Sequence, residues 1–181
     1  GGPRSVGNWR GQPVGSGTDM WKYWDDVRSG KMSREEWNEL ERCIACGVGA
    51  CNVMGTASTM TSLSEALGVM LPGVSSLAAD DTRRLAAAEA TGRRIVEMVH
   101  DDLRLSRILT PAAFDNAIRA LSALGGSTNA VVHLIAMAGR RNIKLPLSRF
   151  DELAQLTPFL VNCSPSGKFL MDAFHAAGGL P

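Results

Sequence analysis

The sequence has no excess of charge of either sign. Its 181 residues include 19 Lys and Arg against 18 Asp and Glu, which gives a net charge of +1. Proteins that bind nucleic acid or anionic membranes through charge carry a clear basic surplus, so we expect neither as a partner. With 45% hydrophobic and 20% charged residues, the composition is that of a globular protein and excludes a disordered or fibrous chain.

Cysteine is also scarce, and there is no long apolar run. The four cysteines are too few and too unevenly spaced for the disulfide framework of a small secreted protein (Cys43, Cys46, Cys51, Cys163). No positively charged leader followed by an apolar stretch opens the sequence. The longest uncharged runs, 43–64 and 120–139, are interrupted by Gly, Ser, Thr and Asn, unlike a membrane helix. We therefore expect a cytoplasmic protein without a transmembrane segment.

The two ends of the sequence are unusual. The first residue is Gly1 rather than Met, and the sequence stops within a glycine-rich turn at 177–181. The length suffices for one ordinary domain, or for part of one. From these ends we expect an internal piece of a longer protein.

Hydrophobic periodicity predicts a chain made mostly of helices. Ser33 and Glu36 form a capping-box pattern that opens a helix reaching about Arg42, and Thr110 opens another that Gly125 ends. Other segments are assigned as follows: helices over 52–69, 80–105, 127–141 and 148–156 and from Ser164-Pro165 onward, a loop over 1–19, and a short buried strand over 158–162. The expected fold class is α/β, as a helix-rich part of a larger layered α/β domain.

One segment is nearly free of charge. Between Cys43 and Ala79 the only charged residue is Glu65, although a fifth of the whole chain is charged. Charged side chains are rarely buried, so a segment without them is either deeply buried or lines a closed site.

This segment begins with a C-x2-C-x4-C run formed by Cys43, Cys46 and Cys51. Thiolates at this spacing could hold zinc or part of an iron–sulfur cluster, because soft sulfur ligands satisfy both. A structural zinc site needs four ligands. The other candidates are distant in sequence or lie in helical surroundings (Cys163, His100, His133, His175). The alternative is that the cysteines are small buried hydrophobic residues.

Four motifs follow one another along the chain. They are Gly15-Ser-Gly-Thr-Asp19 with Trp21-Lys-Tyr; Gly49-Ala-Cys51-Asn-Val-Met-Gly55-Thr-Ala-Ser-Thr-Met60 with Glu65-Ala-Leu-Gly and Leu71-Pro-Gly; Leu124-Gly-Gly-Ser-Thr-Asn129; and Pro165-Ser-Gly-Lys168 with Ala177-Gly-Gly-Leu-Pro181. Together they resemble the dihydroxy-acid, sugar-acid and phosphogluconate dehydratase family over nearly the whole chain. The tryptophan-bearing block and the small residues after Gly55 are more similar to the aldonate (pentonate) branch than to the branched-chain amino-acid branch.

The resemblance implies a hydro-lyase that converts a 2,3-dihydroxy acid into a 2-keto-3-deoxy acid. The substrate would be a sugar acid such as a pentonate, or the dihydroxy acid of branched-chain amino-acid synthesis. The resemblance also implies an iron–sulfur cluster, two-iron rather than four-iron, that pulls on the 3-hydroxyl, and Mg²⁺ that holds the carboxylate and the 2-hydroxyl. Relatives are dimers or tetramers, so a homo-oligomer is expected.

Carried over residue by residue, the resemblance assigns one cluster ligand, Cys51. Cys43 matches a position where relatives carry a non-ligating cysteine, and Cys46 departs from the family. The resemblance places the other cluster cysteines, the Mg²⁺ ligands, the serine base and the C-terminal domain outside residues 1–181. These residues would then be part of the N-terminal α/β domain, with no catalytic residue of their own, and the isolated chain is expected to be inactive.

Ser127, Thr128 and Asn129 are candidates for the substrate side of the site. They follow two glycines at a predicted helix start, where backbone N–H groups could meet a substrate carboxylate. The alternative is that Ser127 only caps the helix.

Two further hypotheses stay open. In one, the chain is a non-enzymatic domain whose Cys43, Cys46 and Cys51 bind zinc and whose tryptophan-rich loop binds a partner. In the other, a dehydratase scaffold has decayed. The dehydratase hypothesis predicts an upstream segment with a Cys-Asp-Lys-type motif and a downstream serine-bearing domain, whereas the binding hypothesis predicts neither.

Overall fold

The computed structural model describes residues 1–181, of which just over half are helical. The elements are β1 (Gly7–Trp9), β2 (Gln12–Val14), α1 (Thr18–Arg28), α2 (Arg34–Ile44), α3 (Thr56–Ala66), α4 (Arg83–His100), α5 (Leu105–Ile108), α6 (Pro111–Leu124), α7 (Asn129–Arg140), α8 (Leu147–Gln155) and α9 (Met171–Ala176). The one sheet is the antiparallel pair β1–β2. The predicted helix-rich α/β class is therefore confirmed. None of the helices combines the length and the apolar character that crossing a bilayer requires.

The largest hydrophobic core lies between α3, α6, α7 and α8 (Leu63, Leu67, Phe114, Ala117, Ile118, Leu121, Ala130, Leu134, Ala138, Leu153). Helix α6 is central to it and has the predicted boundaries. Thr110 Oγ1 accepts a hydrogen bond from the Ala113 N–H, and Pro111 occupies the first turn. Gly125 ends the helix in the left-handed conformation, at φ 57°. This core fixes the relative positions of α3 and α7, which carry the candidate site.

Helix α2 begins with the predicted capping box. Ser33 Oγ accepts from the Glu36 N–H (3.1 Å), and the Glu36 carboxylate accepts from the Ser33 N–H (3.0 Å). The apolar side of α2 is buried in a second core (Val14, Met32, Trp37, Leu40, Ile44). A local sequence signal thus sets the start of this helix correctly.

The N-terminal segment was predicted as a loop and instead contains the hairpin β1–β2. Its two turn residues, Arg10 and Gly11, have positive φ values of 50° and 85°, as a tight type I′ hairpin turn requires. Asn8 Oδ1 accepts from the Gly11 N–H at 2.9 Å and closes the turn. Each strand has three residues, too few to show an alternating hydrophobic pattern.

The strand predicted over 158–162 is wrong. The N–H groups of Leu160 and Val161 both donate to Ala123 O, at 2.9 and 3.2 Å. This segment is therefore tied to the end of α6 and not to a neighbouring strand. Its apolar residues resemble a strand locally, but a strand also needs a partner, and this chain supplies none.

The last helix begins later than predicted. Residues 164–170 form a turn in which the Gly167 N–H donates to Cys163 O (2.6 Å) and the Ser164 N–H donates to Phe169 O (2.8 Å). Asn162 Oδ1 accepts from the Lys168 N–H at 2.9 Å. These bonds replace a first helical turn, so α9 starts at Met171 rather than at Ser164-Pro165.

Helix α4 is the predicted solvent-facing helix, shorter than the expected 80–105. None of its residues is buried, and Leu85 and Val99 of its apolar stripe are 78% and 74% exposed.

A substitution in α4 should stabilise the chain. No atom lies within 4 Å of the position that a Cβ on Gly92 would take. Glycine in a helix interior is less favourable than alanine, so we expect Gly92→Ala to raise the free energy of unfolding by about 0.5–1 kcal/mol. Urea unfolding of the 181-residue chain measures this difference. A decrease would mean that this face of α4 is packed against other atoms.

Candidate functional site

The charge-poor segment forms a polar interior. With the exception of Ser164, every buried polar residue of the chain lies between positions 43 and 79 (Asn52, Ser58, Thr59, Ser62, Ser75, Ser76). Buried polar groups are costly unless hydrogen-bonded. The segment is buried only in part, because Cys46, Val48 and Val69 are exposed. The hydroxyls of Ser62 and Ser75 in its interior have no hydrogen-bond partner.

Cys51 lies in the turn that leads into α3. The helix begins at Thr56, later than the predicted start at 52, because residues 51–55 are held by contacts with other segments. The Cys51 thiol is free and half-buried. A Cβ on Gly55 would lie 3.5 Å from Cys51 Sγ, in ordinary van der Waals contact, so Gly55 is a direct neighbour of the sulfur. A free thiol that is not fully buried is available as a soft metal ligand.

The starts of α3 and α7 meet next to this turn. Thr56 Oγ1, at the start of α3, lies 3.0 Å from Ser127 Oγ and accepts from Asn129 Nδ2 at 2.9 Å. Asn129 is the first residue of α7. Helix α3 has no side-chain N-cap bond and neither helix has an acidic residue in its first turn, whereas the Asn129 N–H at the start of α7 donates to Ser127 Oγ. Free N–H groups at a helix start favour anions, so the start of α3 is suited to a carboxylate.

Close backbone packing holds α7 in this position. The Ser127 N–H donates to Thr59 Oγ1 at 3.0 Å. A Cβ on Gly126 would come within 2.8 Å of Thr59 Cγ2 and 2.9 Å of Leu121 Cδ1. The turn between α6 and α7 can therefore lie against α3 only because position 126 has no side chain.

Ser127 combines two contacts. Its Oγ accepts from the Asn129 N–H at 3.3 Å, which is a local helix-start bond, and the same Oγ faces Thr56 on α3. The N-cap itself is Thr128, which is exposed and makes no side-chain cap bond. Of the three substrate-side candidates, the structure thus places Ser127 and Asn129 against the start of α3 and leaves Thr128 in solvent.

Thr56 and Thr59 were not predicted as site residues. Both belong to the motif after Cys51, but a small polar residue at a helix start has the same sequence pattern whether or not it meets a distant segment. Their contacts with Ser127 and Asn129 join positions about 70 residues apart, as in the Thr56–Ser127 separation of 71 residues. Periodicity carries no information about such contacts.

The remaining cysteines do not join Cys51. Cys46 is exposed and directs its Sγ at Ser5 O (3.6 Å), while Cys43 lies in α2 beside the second core. Cys163 is buried in a third core with Met54 and Phe174, and burial raises the pKa of its thiol. It is therefore an inert core residue.

The histidines are not assembled into a metal site either. His175 Nδ1 lies 2.9 Å from Ser76 Oγ and its Nε2 lies 2.9 Å from an Arg83 guanidinium nitrogen, whereas His100 and His133 are exposed. No three His, Cys, Asp or Glu side chains lie close enough to hold a metal ion. The zinc alternative built on Cys43, Cys46 and Cys51 consequently has no assembled ligand set in this chain.

Cys51 fits one ligand position of an iron–sulfur cluster. Its sulfur is free, half-buried and next to Gly55. Such clusters need several thiolates, and Mg²⁺ needs several oxygen ligands. Because no other ligand is gathered around Cys51, the remaining ligands of either group would have to come from outside this chain.

Comparison with known proteins identifies the family. The family described as dihydroxy-acid/6-phosphogluconate dehydratase N-terminal matches residues 1–181. The chain belongs to this family. An L-arabinonate dehydratase of Rhizobium leguminosarum bv. trifolii (strain WSM2304) is 51% identical over 181 residues, which are 100% of this chain and 31% of that protein. The resemblance read from the four sequence motifs is thereby confirmed.

Other relatives of this dehydratase family have different named substrates. A 6-deoxy-6-sulfo-D-gluconate dehydratase of Pseudomonas putida is 45% identical over 99% of this chain and 31% of its own length. A dihydroxy-acid dehydratase of Pyrococcus abyssi (strain GE5 / Orsay) is 44% identical over 99% of this chain and 33% of its own length. The chain thus spans about a third of the length of the curated relatives it matches.

Proposed function

We propose that this chain works as the N-terminal part of a sugar-acid dehydratase, a hydro-lyase that converts a 2,3-dihydroxy acid into a 2-keto-3-deoxy acid. The observation that carries the proposal is the free, half-buried Cys51 thiol, which comes just before the meeting point of the starts of α3 and α7, in a chain of a dehydratase family. Identity is higher to the relatives named for L-arabinonate (51%) and L-arabonate (46%) than to the ones named for dihydroxy acid (44%) and D-xylonate (40%). This order favours arabinonate among the sugar acids.

The reaction is difficult for two reasons. Hydroxide is a poor leaving group, and the proton next to a carboxylate is weakly acidic. An iron–sulfur cluster, two-iron in our proposal, would act when bound as a Lewis acid that polarises the bond between C3 and its hydroxyl oxygen. The proton leaves C2 and the hydroxide leaves C3 as one molecule of water, and the resulting enol becomes the ketone. In this scheme Cys51 is one of the cluster ligands, and the proton-accepting base and the ligands of Mg²⁺ lie in other segments.

The corner formed by Thr56, Ser127 and Asn129 is proposed to bind the substrate carboxylate. The backbone N–H groups that open α3 have no side-chain cap, and no acidic residue in the first turn of α3 or α7 competes with an anion. One side-chain N–H of Asn129 donates to Thr56 Oγ1, and the other is free to donate to a ligand. Binding the carboxylate here would place the rest of the substrate near the turn that carries Cys51.

The substrate class can be tested directly. The full-length protein, meaning this chain extended to the length of its relatives, is loaded anaerobically with iron and sulfide. It is then assayed for 2-keto acid formation from L-arabinonate, D-xylonate, 6-phosphogluconate and 2,3-dihydroxy-3-methylbutanoate. We expect a pentonate to have the highest kcat/KM. A preference for the branched dihydroxy acid would contradict the sugar-acid proposal, and no product from any of the four would contradict the dehydratase proposal.

Asn129→Ala should weaken substrate binding. Hydrogen bonds to a charged group contribute about 1.5–3 kcal/mol, so we expect KM for the acid to rise about tenfold or more while kcat changes by less than about threefold. Steady-state kinetics of the full-length protein measures both constants. Asn116→Ala is the matched control, because Asn116 is an exposed asparagine of α6 outside the site. An unchanged KM in Asn129→Ala would show that the carboxylate binds elsewhere.

A further inference from the structure

We propose that Asn52 and Ser16 are positioning residues that hold the Cys51 thiol in one orientation. The inference deepens the proposed function and rests on it, because the role of Cys51 as a cluster ligand comes from there. Nothing in the C-x2-C-x4-C spacing or in the helix pattern pointed to either residue. The structure instead joins them by hydrogen bonds across 36 positions of the sequence.

Asn52 and Ser16 form a closed ring of hydrogen bonds. Asn52 Oδ1 accepts from the Ser16 N–H (2.8 Å) and from the Ser16 hydroxyl (3.0 Å). In return, Ser16 Oγ accepts from the Asn52 N–H at 3.0 Å. Asn52 Nδ2 donates to Ser5 O at 3.5 Å. Asn52 is 0% exposed, so its amide and backbone groups would be left without partners if these bonds were lost.

The backbone on either side of the ring is also fixed. Asn52 O accepts from the Met171 N–H (2.9 Å), and the Met54 N–H donates to Ser164 O (2.7 Å). Residues 52–54 are thus bonded to the Gly15–Gly17 loop on one side and to the segment around the start of α9 on the other. Cys51 is the residue directly before this fixed stretch, and its Sγ lies next to Gly55.

This arrangement matches what a metal ligand needs. Groups that orient a ligand affect metal sites nearly as strongly as the ligands themselves, because a thiolate that can swing away binds the metal less well. The side-chain amide of Asn52 is buried and hydrogen-bonded to Ser16, which lies in the loop before α1. We expect these bonds to restrict the turn around Cys51 to a single conformation. Ser16 belongs to the Gly-Ser-Gly-Thr-Asp motif, for which the proposed chemistry supplies no other role.

The test measures the reactivity of the thiols in the 181-residue chain, without iron. Native Ser16→Ala and wild-type chains are treated with iodoacetamide at one pH, and the alkylation rate of each cysteine is followed by peptide mass spectrometry. We expect Cys51 to react about tenfold faster in Ser16→Ala, because loss of the ring bonds frees the turn to open. Cys163, buried in the third core, should stay as slow as in the wild type and reports that the fold is intact.

Ser75→Ala is the matched control. It removes a hydroxyl that is more deeply buried than that of Ser16 but has no hydrogen-bond partner, so Cys51 should react at the wild-type rate. Asn52→Ala should accelerate Cys51 as Ser16→Ala does, and the double variant should be no faster than Asn52→Ala, because both residues belong to one ring.

Two results would overturn the proposal. One is an unchanged Cys51 rate in Ser16→Ala, and the other is an equal acceleration of Cys51 and Cys163, which would mean that the ring supports the whole fold and not this cysteine. Either failure is distinguishable from failure of the proposed function, because the alkylation measurement involves no cluster. Conversely, if the full-length Cys51→Ser variant retained its iron, Cys51 would not be a cluster ligand, whatever the alkylation rates show about the hydrogen-bond ring.

Discussion

Cys51→Ser in the full-length protein is expected to remove the iron–sulfur cluster and nearly all dehydratase activity. A serine hydroxyl is a much weaker ligand for iron than a thiolate, and Cys51 is the free, half-buried cysteine in the turn that leads into α3, where Thr56 meets Ser127 and Asn129. A Lewis acid contributes several kcal/mol to the transition state, so activity should fall by on the order of a thousandfold. Iron and sulfide content, the visible absorption spectrum and turnover measure the loss.

Cys46→Ser is the matched control for this prediction. Cys46 belongs to the same cysteine run but is exposed and directs its sulfur at a backbone oxygen. We expect its iron content and activity to equal those of the wild type. If Cys46→Ser lost metal to the same degree as Cys51→Ser, the cysteine run would act as one site and the zinc hypothesis would regain its basis.

Gly126→Ala is expected to destabilise the chain and to disturb the substrate corner. The new Cβ would lie within 3.0 Å of atoms of Thr59 and Leu121, both of which are packed in the interior. Overpacking of this kind costs about 1–3 kcal/mol of unfolding free energy. Relief of the clash moves the start of α7 away from α3, so the Thr56–Ser127 contact should lengthen and KM in the full-length protein should rise.

A glycine-to-alanine substitution at Gly139 is expected to stabilise the chain, in contrast to the one at Gly126. Gly139 lies near the end of α7, and no atom is within 4 Å of its Cβ position. Gly139→Ala should therefore raise the unfolding free energy by about 0.5–1 kcal/mol. Urea unfolding of both variants of the 181-residue chain checks the pair. Equal effects at the two positions would show that the turn before α7 is not packed tightly against α3.

The sequence predicted elements whose signals are local. The start of α2 follows from Ser33 and Glu36, and the boundaries of α6 follow from Thr110 and Gly125, because the atoms that cap a helix belong to residues next to its end. The hairpin was missed because its turn, Arg10-Gly11, lacks the usual Asn-Gly signal and its strands are too short.

Elements that depend on distant partners could not be predicted in the same way. The segment 158–162 has the composition of a strand but is bonded to the end of α6. Likewise, the candidate site depends on contacts of Thr56 with Ser127 and Asn129 that no spacing rule contains. The assignment of Cys51 came from the family resemblance, and the residues that would orient it, Asn52 and Ser16, became visible only in the structure.

The metal content of the full-length protein purified without oxygen, together with its product from L-arabinonate, tests whether Cys51 helps to hold a catalytic cluster. We expect a brown protein with about two irons and two sulfides per chain, the stoichiometry of a two-iron cluster, and formation of a 2-keto-3-deoxy acid. A colourless protein that binds no iron after reconstitution and forms no 2-keto acid would contradict the iron–sulfur dehydratase proposal.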